Sequence, residues 1–187
     1  MRAARERAGK IDILVNNAGV MRFGLLTEAP VSQWEALMRI NALVPWRLMA
    51  TAAPYMREAG GGSIVNISTI SANRPSPGSG LYGASKAALQ LLSKVMALEL
   101  AADHIRGNVL CPGMVEDTEL GLEMFGAEGS KRAYDRFRSL HPLGRNGTPK
   151  DIAQAALFLA SEQSSWITGA VIPVDGGRHM ASNSPRE

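Results

Sequence analysis

Four short apolar runs, each bounded by turn residues and separated by helical patterns, constrain this chain more than any other feature. Ile11 to Val15 ends in Asn16-Asn17-Ala18-Gly19, and Ile64 to Ser68 follows the turn at Gly60-Gly61-Gly62. Gly107 to Leu110 runs into Cys111-Pro112-Gly113, and Ala170 to Val174 stops at Asp175-Gly176-Gly177. Continuously apolar strands suit burial on both faces, and the intervening helices supply the cover, so the pattern predicts an α/β fold built on a parallel sheet. Helices are expected over Ser32 to Met56, bent at Pro45 and Pro54, over Leu81 to Ala102, and over Pro149 to Ser161. The last opens with Thr148 as N-cap and proline at the first helical position. Met1 to Lys10 reads as the end of a helix leading into the first strand. The 187 residues, 45% of them hydrophobic, suffice for one domain with a substantial core and are too few to suggest two.

Parallel sheets of this kind place ligands outside the carboxyl ends of their strands. The polar clusters Asn16-Asn17, Ser68-Thr69 and Pro112-Gly113 fall at those ends, so one crevice can collect all three. Residues 118–148 differ from the rest, with Gly121, Gly126 and Gly129 among charges and the spaced apolar side chains Leu120, Met124, Phe125, Tyr134 and Phe137. A connection this long within a compact domain is more often functional than idle, and it reads as a partly helical substrate lid with an apolar or mixed inner surface.

The chemistry centres on Tyr82-Gly83-Ala84-Ser85-Lys86 at a helix start, where a spacing of four puts phenol and ammonium on one face. A free phenol titrates near 10 and is a poor base at neutral pH, but an adjacent positive charge favours phenolate. Lys86 is expected to supply that charge. Ser68 and Thr69, at a strand end upstream, offer hydroxyls to a substrate oxygen, and Asn41 lies on the preceding helix.

Leu14-Val15-Asn16-Asn17-Ala18-Gly19, Asn66-Ile67-Ser68-Thr69, Tyr82-Gly83-Ala84-Ser85-Lys86 and Cys111-Pro112-Gly113 resemble, in order and spacing, the signatures of the short-chain dehydrogenase/reductase family. Pro142-Leu143-Gly144-Arg145, Asp151-Ile152-Ala153, Ile167-Thr168-Gly169 and Val174-Asp175-Gly176-Gly177 look like the same family's tail. The resemblance implies a Rossmann-like sheet with flanking helices and a hydride exchange between NAD or NADP and a carbonyl or secondary alcohol substrate. It makes Tyr82 the general acid or base. Lys86 then lowers the pKa of Tyr82 and holds the nicotinamide ribose, and Asn41 supports a water that relays protons. Asn17, Ala18 and Gly19 pass under the cofactor, and Pro112, Gly113, Val115 and Thr118 line its nicotinamide side.

Three positions depart from the family pattern. The substrate-orienting serine falls at Thr69, which keeps the hydroxyl, with Ser68 beside it as the alternative. The cofactor-contacting threonine is expected one residue before Thr118, where Asp117 stands, so Thr118 either serves after a one-residue insertion or only starts the lid helix. The family's glycine-rich turn belongs about seventy residues before Asn17, and sixteen residues precede it here. The expectation is therefore a single partial domain over 1–187, N-terminally truncated, with the Ile11 strand left as an exposed edge. A non-catalytic interaction subunit, or an inactive fragment, is the alternative to an enzyme.

Other classes are disfavoured. The formal charge of +3 is scattered apart from Arg2, Arg5, Arg7 and Lys10, which does not make a nucleic-acid surface. No apolar run matches a membrane span. One cysteine, Cys111, excludes an internal disulfide framework, fits a reducing, cytoplasmic setting and reads as a buried small residue. His104, His141 and His179 are far apart and predicted to be surface or lid residues, so no metal site is expected. Trp34, Trp46 and Trp166 are expected to pack. The helix after Tyr82 is apolar around more of its girth than one sheet contact needs, which predicts a symmetric homo-oligomer.

Overall fold

The computed structural model describes residues 1–182. Its elements run α1 (Arg2–Ala8), β1 (Ile13–Asn16), α2 (Val31–Met38), a π-turn (Arg39–Leu43), α3 (Val44–Glu58), β2 (Gly62–Ile67), α4 (Gly80–Glu99), β3 (Ile105–Pro112), α5 (Glu119–Arg138), α6 (Pro149–Ala160) and β4 (Val171–Val174). Among the described residues these four strands form one parallel sheet in the order β1-β2-β3-β4. Helices α3 and α4 cover one face, and α6 covers the other. The two buried clusters follow that division. Ile11, Leu14, Met49, Met56, Ile64 and Ile105 fill the first, and Val65, Leu110 and Leu159 the second.

A buried polar chain ties α4 to the sheet. Asn16 Nδ2 donates to Asn66 Oδ1 at 2.7 Å, Asn66 Nδ2 donates to Ser93 Oγ at 2.8 Å, and Ser93 Oγ donates to the Leu89 carbonyl. These groups lie in a dry core, where unmade bonds are expensive, so the chain fixes α4 in rotation as well as position. The α6 start is as read from sequence: Thr148 and Asp151 form a reciprocal capping box with Pro149 in the first turn.

The long helix expected over Ser32 to Met56 is divided. Pro45 enters the first turn of α3, and the helix upstream widens into the π-turn over Arg39–Leu43. Proline brings no N–H to the carbonyl four residues back, and local insertion of a residue relieves that mismatch. Pro54, by contrast, is held inside α3. The region 118–148 is more regular than expected, with α5 helical across most of its first two thirds and a break at Gly126, where φ is +66°. The side chain of Met124 lies outside the described set.

Two expectations of placement fail. Trp166 is 98% exposed, since it stands in the connection between α6 and β4 and not on a helix face, whereas Trp34 is about two thirds covered and Trp46 packs against the core. His141 is buried at 2% exposure. Its Nδ1 lies 2.8 Å from the Phe137 carbonyl, and its Nε2 accepts from the Met114 N–H at 3.4 Å, so the ring ties the end of α5 to the turn after β3. His104 and His179 are exposed. Strand β1 is an edge, with Ile13 and Val15 about half exposed on its outer face. Among the described residues no helix is long and apolar enough to cross a membrane, and no three metal-binding side chains gather.

Candidate active site

The sheet order sets β1, β2 and β3 side by side, so the segments leaving their carboxyl ends meet at one rim. Asn17-Ala18-Gly19 leaves β1, Ser68-Thr69 leaves β2 and Gly113 leaves β3. The first turns of α4 pack against that rim, and Tyr82 and Lys86 share the helix's buried face.

Lys86 Nζ donates to the Ile67 carbonyl at 2.8 Å, at the last residue of β2. A methyl group placed on Gly19 would lie 3.0 Å from that nitrogen and 3.2 Å from Asn41 Oδ1, so any side chain there would press on Lys86 and Asn41 and require them to shift. Asn41, set by the π-turn and fully buried, accepts from the Val20 N–H at 2.9 Å. Its amide donates to the Val20 carbonyl at 2.8 Å and to Ser85 Oγ at 3.0 Å. Ser85 in turn donates to the Tyr82 carbonyl. Asn41 therefore joins the β1 loop to the first turn of α4. Sequence reasoning missed Ser85 and Val20 as members of this junction, and the signal for Ser85 was its place on the same helical face as Tyr82.

Thr69 and Ser68 are separated in role by their surroundings. The Thr69 side chain shares a hydrogen bond with the Tyr82 phenol and accepts from the Ser71 N–H at 3.2 Å. Ser68 Oγ donates to the Lys86 carbonyl at 3.2 Å and accepts from Gln90 Nε2 at 3.1 Å, under the surface. Gln90 also reaches the Cys111 sulfur, whose thiol burial pushes up to about 11, so Cys111 is an inert part of this packing.

The expected effect of Lys86 on Tyr82 is not what the structure shows. Burial dominates both groups: the phenol is pushed up to about 12, with Thr69 partly offsetting, and the ammonium is pushed down to about 8. A spacing of four aligned the residues, but the enclosure decides their ionisation. With those values the phenol carries its proton throughout the neutral range and is loaded as an acid. The remaining candidates lie around this core. Asn17 and Ala18 are exposed beside Gly19, and Pro112, Gly113 and Val115 are partly buried at the β3 end. Thr118 caps α5, accepting from the Gly121 N–H at 3.1 Å, which is the plainer of its two readings.

Gly83 is a further residue that spacing did not reveal. A methyl group there would stand 2.6 Å from the Ser71 carbonyl oxygen, so only glycine lets the first turn of α4 seat against the turn that carries Thr69. Gly83→Ala is expected to cost about 2 kcal/mol by forcing those backbones apart. Urea denaturation measures this, and an unchanged midpoint would refute the close-packing argument.

A family model described as enoyl-(acyl carrier protein) reductase matches residues 1–179. The 3-oxoacyl-(acyl-carrier-protein) reductase FabG of Thermotoga maritima is 39% identical over 172 residues, covering 92% of this chain and 68% of that relative. A relative from Xanthobacter autotrophicus named inactive 2-(S)-hydroxypropyl-CoM dehydrogenase 2 is 38% identical over 176 residues, covering 94% of this chain and 76% of the relative. The crystal structure of a gluconate 5-dehydrogenase from Burkholderia cenocepacia in complex with NADP and tartrate superposes with a TM-score of 0.88 at 34% identity, covering 97% of this chain and 69% of that one. With this agreement along almost its whole length, in sequence and in fold, the chain belongs to the short-chain dehydrogenase/reductase family of oxidoreductases.

Proposed function

We propose that this chain carries the catalytic half of a hydride transfer between NAD(H) or NADP(H) and a carbonyl or secondary alcohol substrate, with Tyr82 exchanging the proton. The observation that carries this reading is the meeting of Tyr82, Thr69, Lys86 and side-chain-free Gly19 at the carboxyl ends of β1 and β2. The residues suit a nicotinamide dinucleotide. Asn17 and Ala18 are exposed at the rim, and an ammonium has three donors, of which the Ile67 carbonyl takes one. When bound, the cofactor gives or accepts the hydride. Lys86 then holds the ribose, Asn17, Ala18 and Gly19 lie beneath it, and Pro112, Gly113 and Val115 face the nicotinamide, while Thr118 starts the lid helix.

In the direction of reduction, Tyr82 donates its proton to the developing alkoxide while the Thr69 hydroxyl orients the carbonyl oxygen. Ser68 supports the helix that bears Lys86, and Asn41 positions the β1 loop against α4. Residues 118–148 serve as the substrate lid. The exposed stripe Leu91, Val95 and Leu98 on α4, with Val44 and Leu48 of α3 beside it, supports a homo-oligomer built through this helical face.

The chain spans roughly two thirds of the length of the reductase it matches. The 187-residue polypeptide alone is therefore expected to bind NADH and NADPH more weakly than low micromolar in calorimetry. The longest in-frame product containing it is expected to oxidise one of them in the presence of ketones. Low-micromolar binding by the short chain would overturn the first expectation, and a folded, cofactor-bound long product without turnover on any ketone would overturn the second. The same apolar stripe favours one other reading, a non-catalytic subunit that pairs with an intact relative. Co-purification with such a relative, without turnover by the long product, selects it.

A further inference from the structure

The loop after β1 and the first half of α5 meet across the rim. Arg22 Nη1 lies 3.1 Å from Glu123 Oε1, and the rings of Phe23 and Phe125 stand 5.8 Å apart at 42°. The loop is also anchored to the start of α4. The Gly24 N–H donates to the Gly78 carbonyl at 2.9 Å, and Leu26 fills the space over Gly80, where a methyl group would come within 2.8 Å of its side chain. A methyl group on Gly78 would sit 3.9 Å from the Phe23 ring, at ordinary contact distance, so the ring lies close to the start of α4.

Topology gives these contacts their meaning. The loop starts at the carboxyl end of β1 and α5 follows the carboxyl end of β3, while Ser68 and Thr69 leave β2, which lies between them. A bridge from the β1 loop to α5 therefore crosses over the end of β2, where Tyr82 meets Thr69. Tyr82 itself is 7% exposed. A cavity of about 330 Å³ opens elsewhere, between the end of α5 and Gly177 to Ser182, and Tyr82 is not among its walls.

We propose that Phe23 and Phe125, braced by Arg22 and Glu123, form the gate through which a carbonyl substrate reaches Tyr82, and that an apolar group on the substrate parts the two rings. The apolar rim fits this: Phe23, Leu25, Leu26 and Leu122 are each at least half exposed around the crossing. The ion pair is about half exposed at both ends and so weak alone, which suits a contact that must open repeatedly. Its meaning for catalysis rests on the proposed role of Tyr82, but the gate itself is a statement about access to the phenol.

The test therefore uses no redox assay. Nitration of the 187-residue chain by tetranitromethane, mapped by peptide mass spectrometry, reads the accessibility of Tyr82, with Tyr55 on α3 and Tyr134 within α5 as internal references. Phe125→Ala is expected to raise the Tyr82 rate about tenfold, the scale of one lost aromatic pair. Arg22→Glu or Glu123→Arg alone is expected to raise it about threefold, and the double reversal to bring it back toward the original rate. Tyr55 and Tyr134 should hold their rates. An unchanged Tyr82 rate in Phe125→Ala overturns the gate, as does a double reversal no better than the singles. A parallel rise at Tyr134 also overturns it, since that reports melting of α5 and not opening.

Discussion

Tyr82→Phe is expected to lower kcat by about a thousandfold in the turnover-competent protein while leaving its melting temperature nearly unchanged. The magnitude is that of a positioned proton donor removed from a transition state. The buried ring remains, so little packing is lost. The hydroxyl's partner, Thr69, keeps its bond from the Ser71 N–H. KM for the nicotinamide cofactor should stay within about twofold, because on this reading the phenol acts on the substrate oxygen in the transition state. Stopped-flow measurement of ketone-dependent NADH or NADPH oxidation separates these terms. A variant that keeps wild-type kcat would remove Tyr82 from the chemistry altogether.

Lys86→Met is expected to do the opposite to stability, raising it at pH 7 by about 2 kcal/mol while abolishing turnover. The lysine is 3% exposed, and burial holds it near 8 in the folded chain against 10.5 in the open one. That depression corresponds to about 3 kcal/mol of strain on the charged form, reduced by about 1 kcal/mol for the bond to Ile67 that methionine cannot make. The sign with pH follows from proton counting. Below pH 8 both states of the wild type hold the proton and the folded one carries the full cost. Between about 8 and 10.5 the unfolded state binds more protons than the folded state, so wild-type stability rises with pH. The advantage of Lys86→Met should therefore vanish near pH ~9.5 and turn into a deficit of about 1 kcal/mol by pH 10.5, where only the lost bond to Ile67 remains. Thermal unfolding of the two proteins across pH 7 to 10.5 measures it, and parallel pH curves would contradict the buried, strained ammonium.

Much of the site was legible because its parts are local. A β-branched run closed by a turn announces a strand end, and the three polar clusters at β1, β2 and β3 fell where a parallel sheet puts its ligand crevice. Tyr82 and Lys86 shared a helix face by spacing alone. What escaped was set by neighbours distant in sequence. The ionisation of Tyr82 depends on its burial and on Thr69, which comes from the end of β2, and no spacing of four conveys that. Gly83 reads as an ordinary weak helix former until the Ser71 carbonyl is seen against it. His141 read as a surface or lid residue and does lie within 118–148, but its burial was hidden because its two partners, Phe137 and Met114, come from different elements. Trp166 erred the other way, since aromatic size favours burial on average but the connection that carries it faces outward.

The widened turn at Arg39–Leu43 makes the place of Asn41 a matter of arithmetic. An α-helix advances about 100° per residue, and the π-turn accommodates one residue more than a regular helix would over the same rise. Excising a single residue there would straighten the backbone, preserve every neighbour's chemistry, and swing the asparagine about a quarter of a revolution away from Val20 and Ser85. At this position the length of the chain fixes where the asparagine points as firmly as its identity does, and a one-residue deletion would part it from Val20 and Ser85 without removing any of the three.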